Sequence, residues 1–232
     1  MAKRPFFCVH VPLSPNEALV DVMMAEFEWF PGLSKSQKVK SIESLHSQIK
    51  KARPCSVLEV STKSTSDLGI KLSAFNLGFT HPKKKTFISV ESAFQGSKVF
   101  STIGPFHDLY TKTSGEAKEF YKNKNLTEVI HFDFFGQMWP ATPKTFFYDW
   151  LYLNSLYRNK EMADAVLEYD CFTDIEFNPK RSLNCQAYSA ALFTSLSKQG
   201  ILSEVLASKE AYTSYFKDSI DWITRTEFNK YH

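Results

Sequence analysis

The run Val90-Glu91-Ser92-Ala93-Phe94-Gln95-Gly96-Ser97-Lys98-Val99-Phe100 gathers a carboxylate, an amide, an amine and aromatic rings over a short stretch. It reads as a helix entered from a short strand, Thr86 to Val90. At about 100° per residue, Glu91 and Lys98 fall on nearly the same line, roughly 10 Å apart along the axis. Phe94 and Gln95 lie between them. Such a stripe can form a pocket wall, with an acid–base carboxylate and a desolvated amine acting on one small ligand. It can equally be a solvated face of paired charges.

A second candidate is Tyr169-Asp170-Cys171-Phe172-Thr173-Asp174-Ile175-Glu176-Phe177-Asn178-Pro179, where carboxylates stand among bulky apolar residues. It precedes a helix that carries Gln186 and Tyr188, with Asn184 at its entrance. The carboxylates either cap that helix or rim a pocket that holds hydroxyl groups. The lysines at 83–85 are a solvated loop or a phosphate contact. His46, beside an apolar stripe, reads as a packed and hydrogen-bonded histidine.

The elements that would position these groups are mixed. Phe7, Val9 and Val11 alternate as a strand, Val20 to Trp29 fits either strand or helix, and Pro31-Gly32 is a turn. Val39, Ile42, Leu45 and Ile49 predict a helix over Ser34 to Ala52, ended by Pro54. Val57 to Ser61 is a strand and Thr62 to Gly69 a polar loop. Ile103 to Phe106 is a turn, and residues 131–135 a strand ended by Gly136. Helices are expected over 114–123, 143–157, 160–169, 182–198 and 203–217. The pattern predicts an α+β fold, predominantly helical, as a single domain with a small sheet. Within it we expect an N-terminal extension of strand and helix (1–55) packed on a catalytic core (56–200), followed by a helical tail (201–232).

Composition excludes several classes. The chain has 232 residues, 43% of them hydrophobic, with 21 Phe and 8 Gly, which is a folded chain rather than a disordered one. Its formal charge of +3 permits contact with a polyanion without announcing a nucleic-acid binder. No apolar run reaches the ~18 residues of a membrane span. The N-terminal residues lack a signal-peptide core. Cys8, Cys55, Cys171 and Cys185 are widely spaced, which predicts free thiols, a reducing compartment and a cytoplasmic location. Motifs for nucleotide cofactors, P-loops, zincins and hydrolase elbows are missing, so neither cofactor nor metal is expected.

Val90-Glu91 with Phe94-Gln95 and Lys98-Val99-Phe100 resembles the core of the NADAR family, and Leu72-Ser73-Ala74-Phe75-Asn76 resembles its Leu-Ser-Asn-Phe segment. Three further runs resemble the branch associated with DarT-type toxins: Leu58 to Ser64, Pro143 to Thr145 with Phe147 to Leu151, and Phe172 to Pro179. Tyr188 stands where many relatives carry Arg, a departure from the pattern.

The resemblance implies a NADAR-like fold and an ADP-ribosyl hydrolase that removes ADP-ribose from guanine bases of DNA, as antitoxin to a DarT-type toxin or as phage counter-defence. By the same resemblance Lys98 is the nucleophile, passing through an imine, Glu91 the acid–base group, and Asp174 a ribose-orienting or water-activating carboxylate. Phe75, Phe94 and Trp139 would stack on bases, Gln95 would bond a base edge, and Lys63, Ser64 and Asn76 would meet ribose or diphosphate. Asn184 joins the substrate-binding set. The implied partners are ADP-ribosylated DNA and the cognate toxin. An N-glycosidase on a small metabolite, such as a riboflavin-pathway intermediate, and a non-catalytic antitoxin that binds ADP-ribose or toxin are the alternatives.

Overall fold

The computed structural model describes residues 1–14, 17–32, 34–122, 124, 126–143, 145–178 and 184–217. Strands β1 (Ala2–Val9) and β2 (Val20–Phe27) open the chain as an antiparallel pair running from Ala2↔Phe27 to Val9↔Val20. Helix α1 (Lys35–Ala52) follows. Ser34 caps it by accepting from the Gln37 amide, and Ile42, Leu45 and Ile49 bury one face. Then come β3 (Val57–Glu59), α2 (Asp67–Lys71), β4 (Gly78–Thr80), β5 (Phe87–Ser89), α3 (Val90–Gly96) and β6 (Lys98–Phe100). A 3₁₀ turn (His107–Thr111) leads to α4 (Ser114–Glu119), β7 (Val129–Phe134), β8 (Gln137–Pro140), α5 (Phe146–Tyr157), α6 (Lys160–Val166), β9 (Cys171–Thr173), α7 (Gln186–Lys198), α8 (Leu202–Val205) and α9 (Lys209–Lys217).

Among the described residues the strands form three small sheets, ordered β2-β1-β9-β3, β4-β5 and β6-β7-β8. In the largest, β1 pairs antiparallel with β9, and β9 pairs parallel with β3. The N-terminal strands are therefore part of the sheet that carries the site. The main core gathers Phe147, Leu151 and Tyr152 of α5, Phe172 of β9, and the unbroken buried run Ala187 to Leu196 of α7. Every residue of α3 is buried, as expected of a helix enclosed on all sides. Leu202, Val205, Tyr212 and Phe216 bury the C-terminal helices against the same core. The fold is the expected single α+β domain.

Several local expectations are corrected. The central helix ends at Gly96, so Lys98 belongs to β6 and does not share a helical stripe with Glu91. The stop has a physical cause: a Cβ at Gly96 would stand 2.5 Å from the Tyr110 ring, and Ser97 returns its hydroxyl to the Ala93 carbonyl. Val20 to Phe27 is strand, and the loop at 62–69 ends in the first residues of α2. The helices expected over 114–123 and 160–169 stop at Glu119 and Val166, and the one over 203–217 is two. Ser182 lies outside the described residues.

The cysteine reading is corrected too. Cys8 and Cys171 face one another across β1 and β9 and form a disulfide, while Cys55 and Cys185 are free. Sheet pairing brings together residues separated by 163 positions, so spacing along the chain carried no hint of it. No helix among the described residues is long and apolar enough to cross a membrane.

Candidate active site

A cavity of about 340 Å³ opens where loops from several elements meet. Ser61, Thr62 and Lys63 follow β3; Ser73, Ala74 and Phe75 follow α2; Glu91, Phe94 and Gln95 come from α3. Asp174, Glu176 and Phe177 follow β9, Lys118 comes from α4 and Tyr148 from α5, and Asn184 and Gln186 stand at the entrance of α7. The volume falls in the range of small-molecule sites.

One peptide unit fixes the two carboxylates. The Glu91 amide donates to the Ala74 carbonyl at 3.0 Å. The Ala74 amide donates to Gln186 Oε1 at 2.7 Å. With its oxygen so occupied, Gln186 has its amide nitrogen left to donate to the Asp174 side chain. Asp174 Oδ1 also accepts the Glu176 and Phe177 amides at 3.0 and 3.1 Å, a local turn that points the carboxyl inward. Its pKa is raised, first by burial and then by the nearby charge of Glu59. Glu91 accepts the Gln95 Nε2 proton at 2.9 Å. Gln95 Oε1 is buried with no partner among the described residues, an acceptor left for a ligand.

Lys98 stands apart from the cavity lining. Its Nζ lies 5.1 Å from the centre of the Phe94 ring and 5.0 Å from that of Tyr121, a cation–π arrangement on both. Burial lowers its pKa to about 8, against the opposing attraction of Glu91. The amine is therefore next to the site and electrostatically joined to it. Phe94 separates its roles: the ring lines the cavity and also meets Phe132, Phe147 and Tyr148.

Of the other expected groups, Lys63, Phe75, Phe94, Gln95 and Asn184 line the cavity with Glu91 and Asp174. Three do not, and their assignment as ligand contacts is corrected. Trp139 is fully buried among Phe146, Phe147, Trp150 and Tyr212. Asn76 donates its side-chain amide to the Ile70 carbonyl, and Ser64 is buried beneath Ser66, whose amide it accepts. His46 is buried and accepts or donates to Thr173 Oγ1 at 2.8 Å, a structural role.

Sequence reasoning missed Lys118, Tyr148 and Gln186. Lys118 lies in a helix rich in Lys and Glu that resembled any solvated face. Its Nζ stands 5.3 Å from the centre of the Phe75 ring, so a cation flanks an aromatic platform. Gln186 was visible only as a polar residue opening an apolar helix. Among the described residues no group of three His, Cys, Asp or Glu could hold a metal.

Among curated proteins none matches the chain. A family model, described as the DarT1-associated NADAR antitoxin, matches residues 2–223, which include every group lining the cavity. The chain belongs to the DarT1-associated NADAR antitoxin family.

Proposed function

We propose that this protein is an ADP-ribosyl hydrolase that removes ADP-ribose from guanine bases of DNA modified by a DarT-type toxin. NADAR proteins are associated with N-glycosidic hydrolysis in general, and the cavity supplies what that chemistry needs. The observation that carries the reading is the joint placement of Glu91 and Asp174, locked through Ala74 and Gln186 on one cavity. Asp174 is biased toward its protonated form by burial, which suits a general acid. It protonates the exocyclic guanine nitrogen as that atom leaves the ribose carbon. Glu91 takes a proton from the water that attacks the same carbon, giving ADP-ribose and unmodified guanine. Lys63 and Lys118 supply positive charge for a diphosphate, and Phe75 a surface for a base.

Lys98 supports a second route. An amine with a pKa of about 8 is partly neutral near physiological pH and is a usable nucleophile. In that route it attacks the ribose carbon, the ring opens to an imine, and water activated by Glu91 releases the sugar. The route requires the side chain to swing past Phe94.

The test is release of ADP-ribose from a guanine-ADP-ribosylated oligonucleotide. Glu91→Gln and Asp174→Asn should each lower kcat by about 10²–10⁴-fold with the melting temperature little changed. Full activity in both would end the proposal. Borohydride trapping of a protein–sugar adduct that needs Lys98 selects the imine route, and its absence in an active enzyme selects direct hydrolysis.

A further inference from the structure

Behind Asp174 lies a second, deeper carboxylate. Glu59, at the end of β3, is 2% exposed and receives three hydrogen bonds. Its Oε1 accepts the Ser61 hydroxyl at 2.6 Å and the Ile175 amide at 2.8 Å, and its Oε2 accepts the Thr173 hydroxyl at 2.6 Å. The directions are constrained. The Ile175 amide can only donate. Ser61 Oγ accepts the Lys63 amide at 3.2 Å, so its own proton is free for Glu59. Thr173 Oγ1 is also 2.8 Å from His46 Nε2; having given its proton to Glu59, it accepts from the Nε2–H tautomer of a neutral His46. Three donors converging on a buried carboxylate are the surroundings of an anion.

The same bonds reach both rims of the cavity. Thr173 and Ile175 flank Asp174 in sequence, while Ser61 lines the cavity and anchors the amide of Lys63. Two like charges this close oppose one another, and only Asp174 reaches the cavity, where a proton can be passed to a ligand. The remaining charges around the pair come from three elements. Glu176 is neutralised by Lys38 of α1 at 3.0 Å, Arg4 of β1 faces Asp174, and Lys63 stands on the rim.

We propose that Glu59 is a positioning residue: it holds the negative charge of a two-carboxylate pair and so keeps Asp174 as the proton-bearing member at the cavity. This rests on the hydrolase reading of the cavity for its catalytic meaning. In Glu59→Gln the introduced amide can still accept from Ile175 and Ser61, and can donate to Thr173 once His46 changes tautomer. The fold is retained while the charge is removed.

Two measurements test it. Carboxyl ¹³C NMR follows the titration of Asp174 without needing activity, and the pH profile of kcat follows its use as an acid. Glu59→Gln should lower the Asp174 midpoint by about one pH unit or more, and move the basic limb of kcat toward acid by the same amount. Thr173→Val, which withdraws one donor from Glu59, should shift the midpoint in the same direction and serves if Glu59→Gln does not fold. An unmoved midpoint overturns the proposal, as does an equal loss of kcat at every pH with the limb in place. A shifted midpoint in a protein that hydrolyses no ADP-ribosylated DNA leaves the carboxylate pair standing and removes the hydrolase reading instead.

Discussion

Lys98 shows how one side chain can be mislocated by a rule that is sound in general. Helical periodicity aligned it with Glu91, whereas the chain reaches the same neighbourhood by ending the helix and turning into a strand. Its amine is held between the Phe94 and Tyr121 rings and shifted to a pKa of about 8 by burial. A depressed lysine pKa means that the folded state gives up the proton first. The contribution to stability is present above the unfolded value near 10.5 and is lost as pH falls through about 8. Relative to Lys98→Met, the natural protein should therefore gain stability as pH rises from about 8 to 10.5, and show no further trend below 8. Denaturant midpoints across that range would check it, and parallel curves for the two proteins would refute the buried-amine description.

The strand that carries Lys98 depends on a neighbouring turn. Gly104 has φ +107°, and a Cβ placed there would stand 2.5 Å from the Lys98 carbonyl oxygen. Gly104→Ala therefore combines backbone strain with a backbone clash, and should destabilise the protein by about 2 kcal/mol or more, read from chemical denaturation. Much at this level was legible in the sequence. The turn at 103–106, the α1 stripe of Ile42, Leu45 and Ile49, and the strand near Phe87 all follow from local pattern. The end of α3 was legible in part, because a glycine late in a helix followed by Lys98-Val99-Phe100 signals a stop. What local pattern could not give was convergence. Gln186 meets Ala74 across 112 positions, and Ser61 and Thr173 meet on Glu59 only because β3 and β9 pair in parallel. Trp139 illustrates the opposite error, since an aromatic type suited to stacking on a base serves equally well at the centre of a core.

Residues distant in sequence are stapled across the main sheet by Cys8–Cys171, which closes a loop spanning 163 positions and lies two residues from Thr173. Chain-entropy arguments assign such a bridge about 2–5 kcal/mol, so reduction or Cys8→Ala should lower unfolding free energy by that order. Equal stability with and without reductant would show that the bridge contributes nothing. The sheet order β2-β1-β9-β3 has a further consequence for biosynthesis. As the polypeptide leaves the ribosome, the hairpin of β1 and β2 emerges first, with one side of β1 lacking the strand that will cover it. That strand is made some 160 residues later, and Asp174 arrives with it. The nascent chain thus carries an open edge through most of its translation, and the acidic half of the pocket is completed only when the last sheet member docks.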